Sequence, residues 1–344
     1  MRALITGITG MVGSHLAEYL LAATDWEIHG MLRWRSPLDN VQELLPLVNS
    51  GGRVVFHYAD LRDDAAVRKC VADSQPDFVF HLAAQSYPRT SFDSPCDTLE
   101  TNVQGTVRLL EAIRTHPGRL VREALIHVCS SSEVYGRVPR HLIPIREDCP
   151  FHPASPYAVS KAGADLMAQH YAQAYGMRIM VTRMFTHTGP RRGDVFAESS
   201  FAKQIAMAEA GQIPPVIRHG NLDSLRTIAD VRDAVRAYHM LLTVDPVPGA
   251  VYNIGGTHTC TVKKILKHLV NLSTIQPDKS DPLPWRWVEE KERLRPLDAD
   301  LQVPDVSKFT AHTGWKPEIP YAQTMSDLLD YWRARVKTQA FLTR

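Results

Sequence analysis

The stretch Arg2-Ala3-Leu4-Ile5-Thr6-Gly7-Ile8-Thr9-Gly10-Met11-Val12-Gly13 decides the fold. Residues 2–6 read as a strand and residues 11–23 as a helix. Between them the spacing Gly7-x-x-Gly10-x-x-Gly13 puts glycine where a chain must turn tightly, admit a pyrophosphate to its backbone and pack a helix close to a sheet. The helix that follows offers unpaired N–H groups and the positive end of its dipole to an anion. Glycine-rich turns are common, but this one lies between a strand and a helix. We therefore expect a dinucleotide to be held at Gly7, Thr9, Gly10, Met11, Val12 and Gly13.

The same alternation runs on. Strand-like runs at 26–31, 53–57, 77–81, 124–129 and 178–183 are separated by helical patterns at 64–73, about 97–115 and about 157–175. That order predicts an α/β fold, a Rossmann-type doubly wound parallel sheet. After about residue 186, Pro and Gly become frequent, with irregular stretches at 211–222 and 276–298. No Gly/Ser-rich linker intervenes, so a smaller, interleaved C-terminal lobe is expected. Residues 1–185, with parts of 227–256, would form the dinucleotide-binding domain, and 186–226 with 257–344 the lobe that takes the substrate.

Composition mainly excludes. The 344 residues carry 39 Lys and Arg against 37 Asp and Glu, so no nucleic-acid-binding face is implied. No apolar run approaches the roughly 18 residues of a membrane span, and the glycines begin too early for a signal peptide. The five cysteines are odd in number and lack a C-x-x-C pair, so we expect no disulfide framework and a reducing cytoplasm. The histidines show no ligand spacing, and no metal is expected.

An NAD enzyme usually ends its second strand with an acid for the ribose 2′-OH. Here the sequence is Met31-Leu32-Arg33-Trp34-Arg35-Ser36, with no carboxylate until Asp39. Arg33, Arg35 and Ser36 suit a 2′-phosphate, so NADP is the expected cofactor. Asp60 and Leu61, after the third strand, are placed for the adenine. Leu82, Ala83 and Ala84 end the fourth strand with the backbone room a cofactor needs.

Tyr157 and Lys161 lie four apart on one helical face, where the ammonium can depress the phenol pKa and make Tyr157 a proton acceptor. Ser130-Ser131-Ser132-Glu133 follows the fifth strand.

Taken in order, Gly7/Gly10/Gly13, Asp60-Leu61, His81 to Ser86, Ser131, Tyr157 and Lys161 resemble the extended branch of the short-chain dehydrogenase/reductase family, over the whole chain. The resemblance implies that Ser131 hydrogen-bonds the substrate oxygen, Tyr157 is the acid/base, and Lys161 holds the ribose. Sugar epimerases of this branch usually lack a carboxylate at Glu133. Nucleotide-sugar 4,6-dehydratases and related decarboxylases have a hydroxyl residue two before such a Glu, which would serve as base for the C5 proton.

The second half resembles the GDP-mannose group of the branch. Gly220-Asn221-Leu222-Asp223-Ser224-Leu225-Arg226, the segment Phe185 to Gly193, and Arg295-Pro296 followed by Asp300, Asp305 and Lys308 carry that likeness. It implies substrate contacts at Ser86, Ser132, Thr186, Arg191, Lys203, Asn221, Arg226 and Arg295, with arginine forks on the diphosphate. Thr186 stands where Asn is usual, and Ser131 where Thr is common. Other stretches, Phe201 to Ile205, Pro214 to Ile217 and Leu99 to Asn102, resemble GDP-4-keto-6-deoxymannose reductases. The expected reaction is dehydration of GDP-mannose or GDP-manno-heptose to the 4-keto-6-deoxy sugar nucleotide, with NADPH-dependent reduction of that product as the alternative. The resemblance also implies a homodimer through a four-helix bundle of the helices near 97–115 and 157–175, or a homotetramer through the loop near Arg35.

Overall fold

Strand β1 (Arg2–Thr6) is buried along Ala3 to Thr6, as an apolar run without polar alternation requires. It lies between two parallel neighbours in the computed structural model, which describes residues 1–48, 51–276, 283–297 and 299–338. In chain order β1 is followed by α1 (Met11–Ala23), β2 (Glu27–Leu32), β3 (Val54–Tyr58), α2 (Asp64–Ser74), β4 (Phe78–His81), α3 (Pro88–Asp93), α4 (Pro95–Leu99), α5 (Gly105–Arg114), α6 (Arg119–Arg122), β5 (Leu125–Cys129), α7 (Pro156–Tyr175), β6 (Ile179–Met184) and β7 (His187–Thr188). Then come α8 (Ala197–Glu209), β8 (Val216–His219), β9 (Leu225–Asp230), α9 (Val231–Thr243), β10 (Val251–Ile254), β11 (His258–Thr261), α10 (Val262–Asn271), β12 (Arg286–Glu289), β13 (Leu301–Gln302), α11 (Ser307–Thr313) and α12 (Tyr321–Lys337).

The large sheet has seven parallel strands in the order β10-β6-β5-β4-β1-β2-β3. Its register pairs Ile5 with Gly30 and Phe80, and Val128 with Val181. From β1 the chain winds outward through β2 and β3, then returns to β4 and winds the other way. The reversal between β1 and β4 opens a crevice at the carboxyl ends of both strands, where open α/β sheets bind ligands. One face is covered around Leu16, Leu20, Val235, Tyr238 and Trp315, the other around Val67, Leu109, Ile113 and Tyr171.

The helix expected over 97–115 is interrupted. α4 stops at Leu99, Glu100–Gln104 form a π-turn, and α5 begins at Gly105. Asn102 explains the break. Its Oδ1 accepts from the Gln85 N–H at 2.8 Å, and its Nδ2 donates to the Gln85 carbonyl at 3.0 Å. The inserted residue turns that buried amide onto the loop after β4, a known use of π-bulges.

A second group of strands follows β6. β9 pairs with β11 antiparallel and with β13 and β7 in parallel, and β8 pairs with β12. Helices α8, α10 and α12 pack there through Phe201, Ile205, Leu266, Leu269, Leu328 and Leu329. β9 runs straight into α9, whose N-cap Asp230 accepts from the Arg232 N–H. Among the described residues no helix is long and apolar enough to cross a membrane. All five cysteines are free thiols.

Candidate active site

The glycines build the floor of the crevice. Gly7 has φ +74, and a Cβ there would fall 2.9 Å from the Ala83 Cα, so β1 and β4 close over this point only with glycine. A Cβ on Gly13 would meet the Gly7 carbonyl at 2.4 Å. α1 starts at Gly10 with no side-chain cap and no acid in its first turn, which leaves its N-terminal donors for an anion. This cradle fits a dinucleotide pyrophosphate. Arg33 and Arg35 are exposed beyond β2, and Arg33 lies close enough to Asp60 to help hold that carboxyl below its usual range, after the Arg62 hydrogen bond that dominates.

A chain of buried polar groups fixes the end of β4. The Thr6 hydroxyl accepts from the N–H groups of Leu82 and Ala83, both at 3.1 Å. With both acceptor positions used, it donates to His81 Nδ1 at 2.9 Å, so the ring carries its proton on Nε2. That N–H donates to Thr106 Oγ1 at 2.9 Å, and Thr106 donates to the Asn102 carbonyl at 2.6 Å. Asn102 Nδ2 also donates to Ser160 Oγ at 2.8 Å, and Ser160 donates to the Tyr157 carbonyl. Burial, with the Lys161 charge adding, pushes His81 down to about 3, so it stays neutral.

α7 delivers Tyr157 and Lys161. Ser155 caps it by accepting from the Ala158 N–H at 3.0 Å, Pro156 sits in its first turn, and Gly176 ends it at φ +65. Ser91 Oγ accepts from the Tyr157 N–H at 3.0 Å. Ser131, at the end of β5, caps the short turn Ser132–Tyr135 that carries Glu133. Its Oγ accepts from the Glu133 N–H at 3.2 Å. Beneath this turn, Arg183 forms a buried ion pair with Asp165 of α7 at 2.9 Å and donates to Tyr135 Oη at 3.0 Å.

The expectation that Lys161 depresses the Tyr157 phenol is corrected. Burial dominates and raises the phenol pKa; the Ser131 hydroxyl and the Arg192 charge oppose it, while Cys129 and Glu133 add to it. Lys161 is itself lowered by burial, and its Nζ donates to the Cys129 carbonyl at 2.6 Å. The groups that favour a Tyr157 phenolate here are thus Ser131 and Arg192.

Arg191, expected to contact the substrate, makes its ion pair within the protein. Its Nη2 donates to Glu18 of α1 at 2.7 Å, while the next residue, Arg192, faces the Tyr157 phenol electrostatically and lies 3.3 Å from Glu198. Arg191 has φ +69, a left-handed conformation that costs a non-glycine residue about 1–3 kcal/mol. Glu133 receives Arg295 Nη1 at 3.5 Å. Arg226 Nη1 donates to the Ala299 carbonyl at 2.7 Å, tying β9 to the stretch that carries Arg295. Lys203 pairs with Asp194 at 2.7 Å. Ser132 is buried, Thr186 is half-buried with its carbonyl accepting from Ala229, and Ser86 and Asn221 are exposed. The structure thus brings Ser131, Glu133, Tyr157, Lys161, Arg192 and Arg295 together. The sequence marks Asn102 only within the reductase-like stretch Leu99 to Asn102, and Ser160 not at all, because their spacing matches an ordinary helical pattern. Among the described residues no group of His, Cys, Asp and Glu could hold a metal ion.

The GDP-mannose 4,6 dehydratase family model matches residues 4–328. The chain belongs to this family. A GDP-mannose 4,6 dehydratase from Drosophila melanogaster is 33% identical over 343 residues, covering 95% of this chain and 85% of that protein. A GDP-6-deoxy-D-mannose reductase from Pseudomonas aeruginosa is 32% identical over 340 residues, covering 98% of this chain and 99% of that protein. Among solved structures, that of RMD from Pseudomonas aeruginosa complexed with NADPH superposes with a TM-score of 0.79 at 29% identity, covering 97% of this chain and 100% of that one. A Thermus thermophilus UDP-glucose 4-epimerase complex with NAD gives 0.78 at 26%, covering 97% and 99%. The GDP-mannose 4,6-dehydratase family thus includes this chain within the extended short-chain dehydrogenase/reductases, and the doubly wound sheet is that of its structural neighbours.

Proposed function

We propose that the protein is a GDP-sugar 4,6-dehydratase using NADP, acting on GDP-mannose or GDP-manno-heptose. The observation that carries this reading is Glu133, a carboxylate electrostatically close to the Tyr157 phenol and two residues after Ser131. A redox step at C4 needs only Ser131, Tyr157 and Lys161; an elimination needs a further base, and Glu133 supplies it.

In this reading Ser131 holds the C4 oxygen while Tyr157 accepts the C4 hydroxyl proton, helped by the Arg192 charge. A nicotinamide dinucleotide held at the Gly7–Gly13 turn would supply the hydride acceptor for C4 and the hydride donor for C6. Once C4 is a ketone, C5–H is acidic, and Glu133 removes that proton. Glu133 then gives that proton to the departing C6 hydroxyl, which leaves as water, and the proton that Tyr157 took from the C4 hydroxyl goes to C5 when the 5,6-double bond is reduced. Arg295 and Arg226 hold the diphosphate and Arg33, Arg35 and Ser36 the 2′-phosphate. Residues 1–185 with parts of 227–256 serve the cofactor, and 186–226 with 257–344 the nucleotide sugar.

The second reading is an NADPH-dependent reductase of the 4-keto product, favoured by the likeness to the Pseudomonas aeruginosa reductase. Absorbance at 340 nm separates the two. A dehydratase leaves the NADPH pool unchanged over many turnovers, whereas a reductase oxidises one NADPH per product. We further propose a cytoplasmic homodimer or homotetramer. Val159, Leu166 and Tyr175 of α7 and Leu99 of α4 are exposed and apolar, and suit burial against a second copy.

A further inference from the structure

We propose that Arg191 is a positioning residue: its ion pair with Glu18 holds the Gly189–Arg192 turn in the conformation that seats Arg192 on the Phe196 ring beside Glu198, from where its charge acts on Tyr157. The proposal rests on the reading of Tyr157 as the proton acceptor.

The Arg192 N–H donates to the Gly189 carbonyl at 3.2 Å, with Pro190 and Arg191 between them. Proline at the second place and φ +69 at the third are the pattern of a type II turn. Glycine satisfies that third place without strain, because it has no Cβ to clash. This chain has arginine there. Among the described residues outside glycine, only Gln75, Arg191 and Asp245 have positive φ, and of these Arg191 alone adjoins the site.

The side chain explains why the conformation persists. Arg191 Nη2 donates to Glu18 Oε1 at 2.7 Å, with both side chains more than half buried. One helical turn earlier on α1, His15 Nε2 donates to the Pro190 carbonyl at 3.2 Å. Burial and the Arg191 charge push His15 down to about 4, so the ring is neutral and remains a one-proton donor. α1 therefore grips the turn at two places on one face.

The grip has a consequence at position 192. With Arg191 committed to α1, the turn sends Arg192 the other way. Its guanidinium stacks 3.4 Å from the Phe196 ring centroid, lies 3.3 Å from Glu198, and its carbonyl accepts from Ser199 Oγ at 2.7 Å. From there its charge reaches the Tyr157 phenol. The helix that begins at the dinucleotide cradle thus sets the cation at the reacting end of the crevice.

The test uses Arg191→Ala, Arg191→Gly and the wild type, each measured for Tm, for kcat and KM on GDP-mannose and GDP-manno-heptose, and by crystal structure. Arg191→Ala removes the ion pair but keeps a Cβ at φ +69, so the turn should leave that conformation. The expected result is KM within about threefold and kcat reduced at least tenfold, with Arg192 displaced from the Phe196 ring. Arg191→Gly, which holds the same turn without strain, should keep Arg192 on Phe196 and kcat within about fivefold of wild type. An Arg191→Ala protein with wild-type kcat, or one in which kcat falls only in step with Tm, overturns the proposal. If the wild type turns over neither sugar nucleotide, the dehydratase reading fails by itself. The positioning claim is then decided by the structures, and an Arg192 that stays on Phe196 in Arg191→Ala overturns it.

Discussion

Arg295 reaches from the stretch before β13 to place Nη1 3.5 Å from the Glu133 carboxylate beside Tyr157. The residue assigned to the diphosphate and the residue assigned to the C5 proton are therefore in contact. At 3.5 Å the contact is a long one, and Gln keeps the shape of Glu and an acceptor oxygen for Arg295. Glu133→Gln should accordingly leave Tm nearly unchanged. Its kcat for dehydration should fall by about 10²- to 10⁴-fold, the usual contribution of a positioned base. Steady-state kinetics beside a thermal melt checks this.

Arg295→Ala should act chiefly on binding. A hydrogen bond to a charged group contributes about 1.5–3 kcal/mol, roughly 10- to 100-fold. We expect KM for the GDP-sugar to rise by that factor while the affinity for NADP, measured by isothermal titration, stays the same.

Arg33 and Arg35 are the residues proposed to meet the 2′-phosphate of NADP. Both are exposed, so replacing the two with Ala leaves the fold intact. The Kd for NADP should rise at least tenfold and that for NAD should barely move. Equal losses for both would refute the 2′-phosphate assignment.

Thr6 has a structural task that its position hides. Thr6→Val removes the acceptor of two backbone N–H groups, those of Leu82 and Ala83. Each unsatisfied donor costs about 1–3 kcal/mol. The variant should lose about 2–6 kcal/mol in urea unfolding and bind cofactor more weakly, because the end of β4 lines the cradle.

Buried histidines set an acid limit, with His15, His29 and His187 pushed down to about 4 by burial and two others further still. His81 and His127 are both pushed down to about 3, burial being the largest cause in each. An unfolded histidine titrates near 6.5, so between about pH 6.5 and 3 the unfolded chain binds more protons than the folded one. Stability therefore falls as pH drops below about 6.5, by about 1.4 kcal/mol per pH unit for each histidine at most. Urea midpoints at pH 7.5 and 5.5 should show the decline, and a His127→Gln variant should make it shallower by one histidine's share.

The doubly wound sheet was legible because burial on both faces writes a strand as an apolar run, and Gly7, Gly10 and Gly13 mark the first crossover. Ser131, Glu133, Tyr157 and Lys161 were legible because each lies within a few residues of a strand end or helix start that fixes its direction. The interruption at Glu100–Gln104 was not, since Asn102 acts on Gln85, 17 residues away, and helical spacing carries no trace of that bond. Nor was the division of labour between Arg191 and Arg192. Two adjacent arginines look alike in a sequence, and only a positive φ at the first sends them to opposite sides. The raised Tyr157 pKa was missed because burial, which has no sequence signature at one residue, outweighs the neighbouring charge.

The central claim is that this site dehydrates a GDP-sugar. The direct measurement is to incubate the purified protein with GDP-mannose, and separately with GDP-manno-heptose, without added reductant, and to follow product mass. The account predicts loss of one water from one of the two, with no net change in NADP, and no such loss with Glu133→Gln. Unchanged mass for both sugars, or water loss at the wild-type rate in Glu133→Gln, would contradict it.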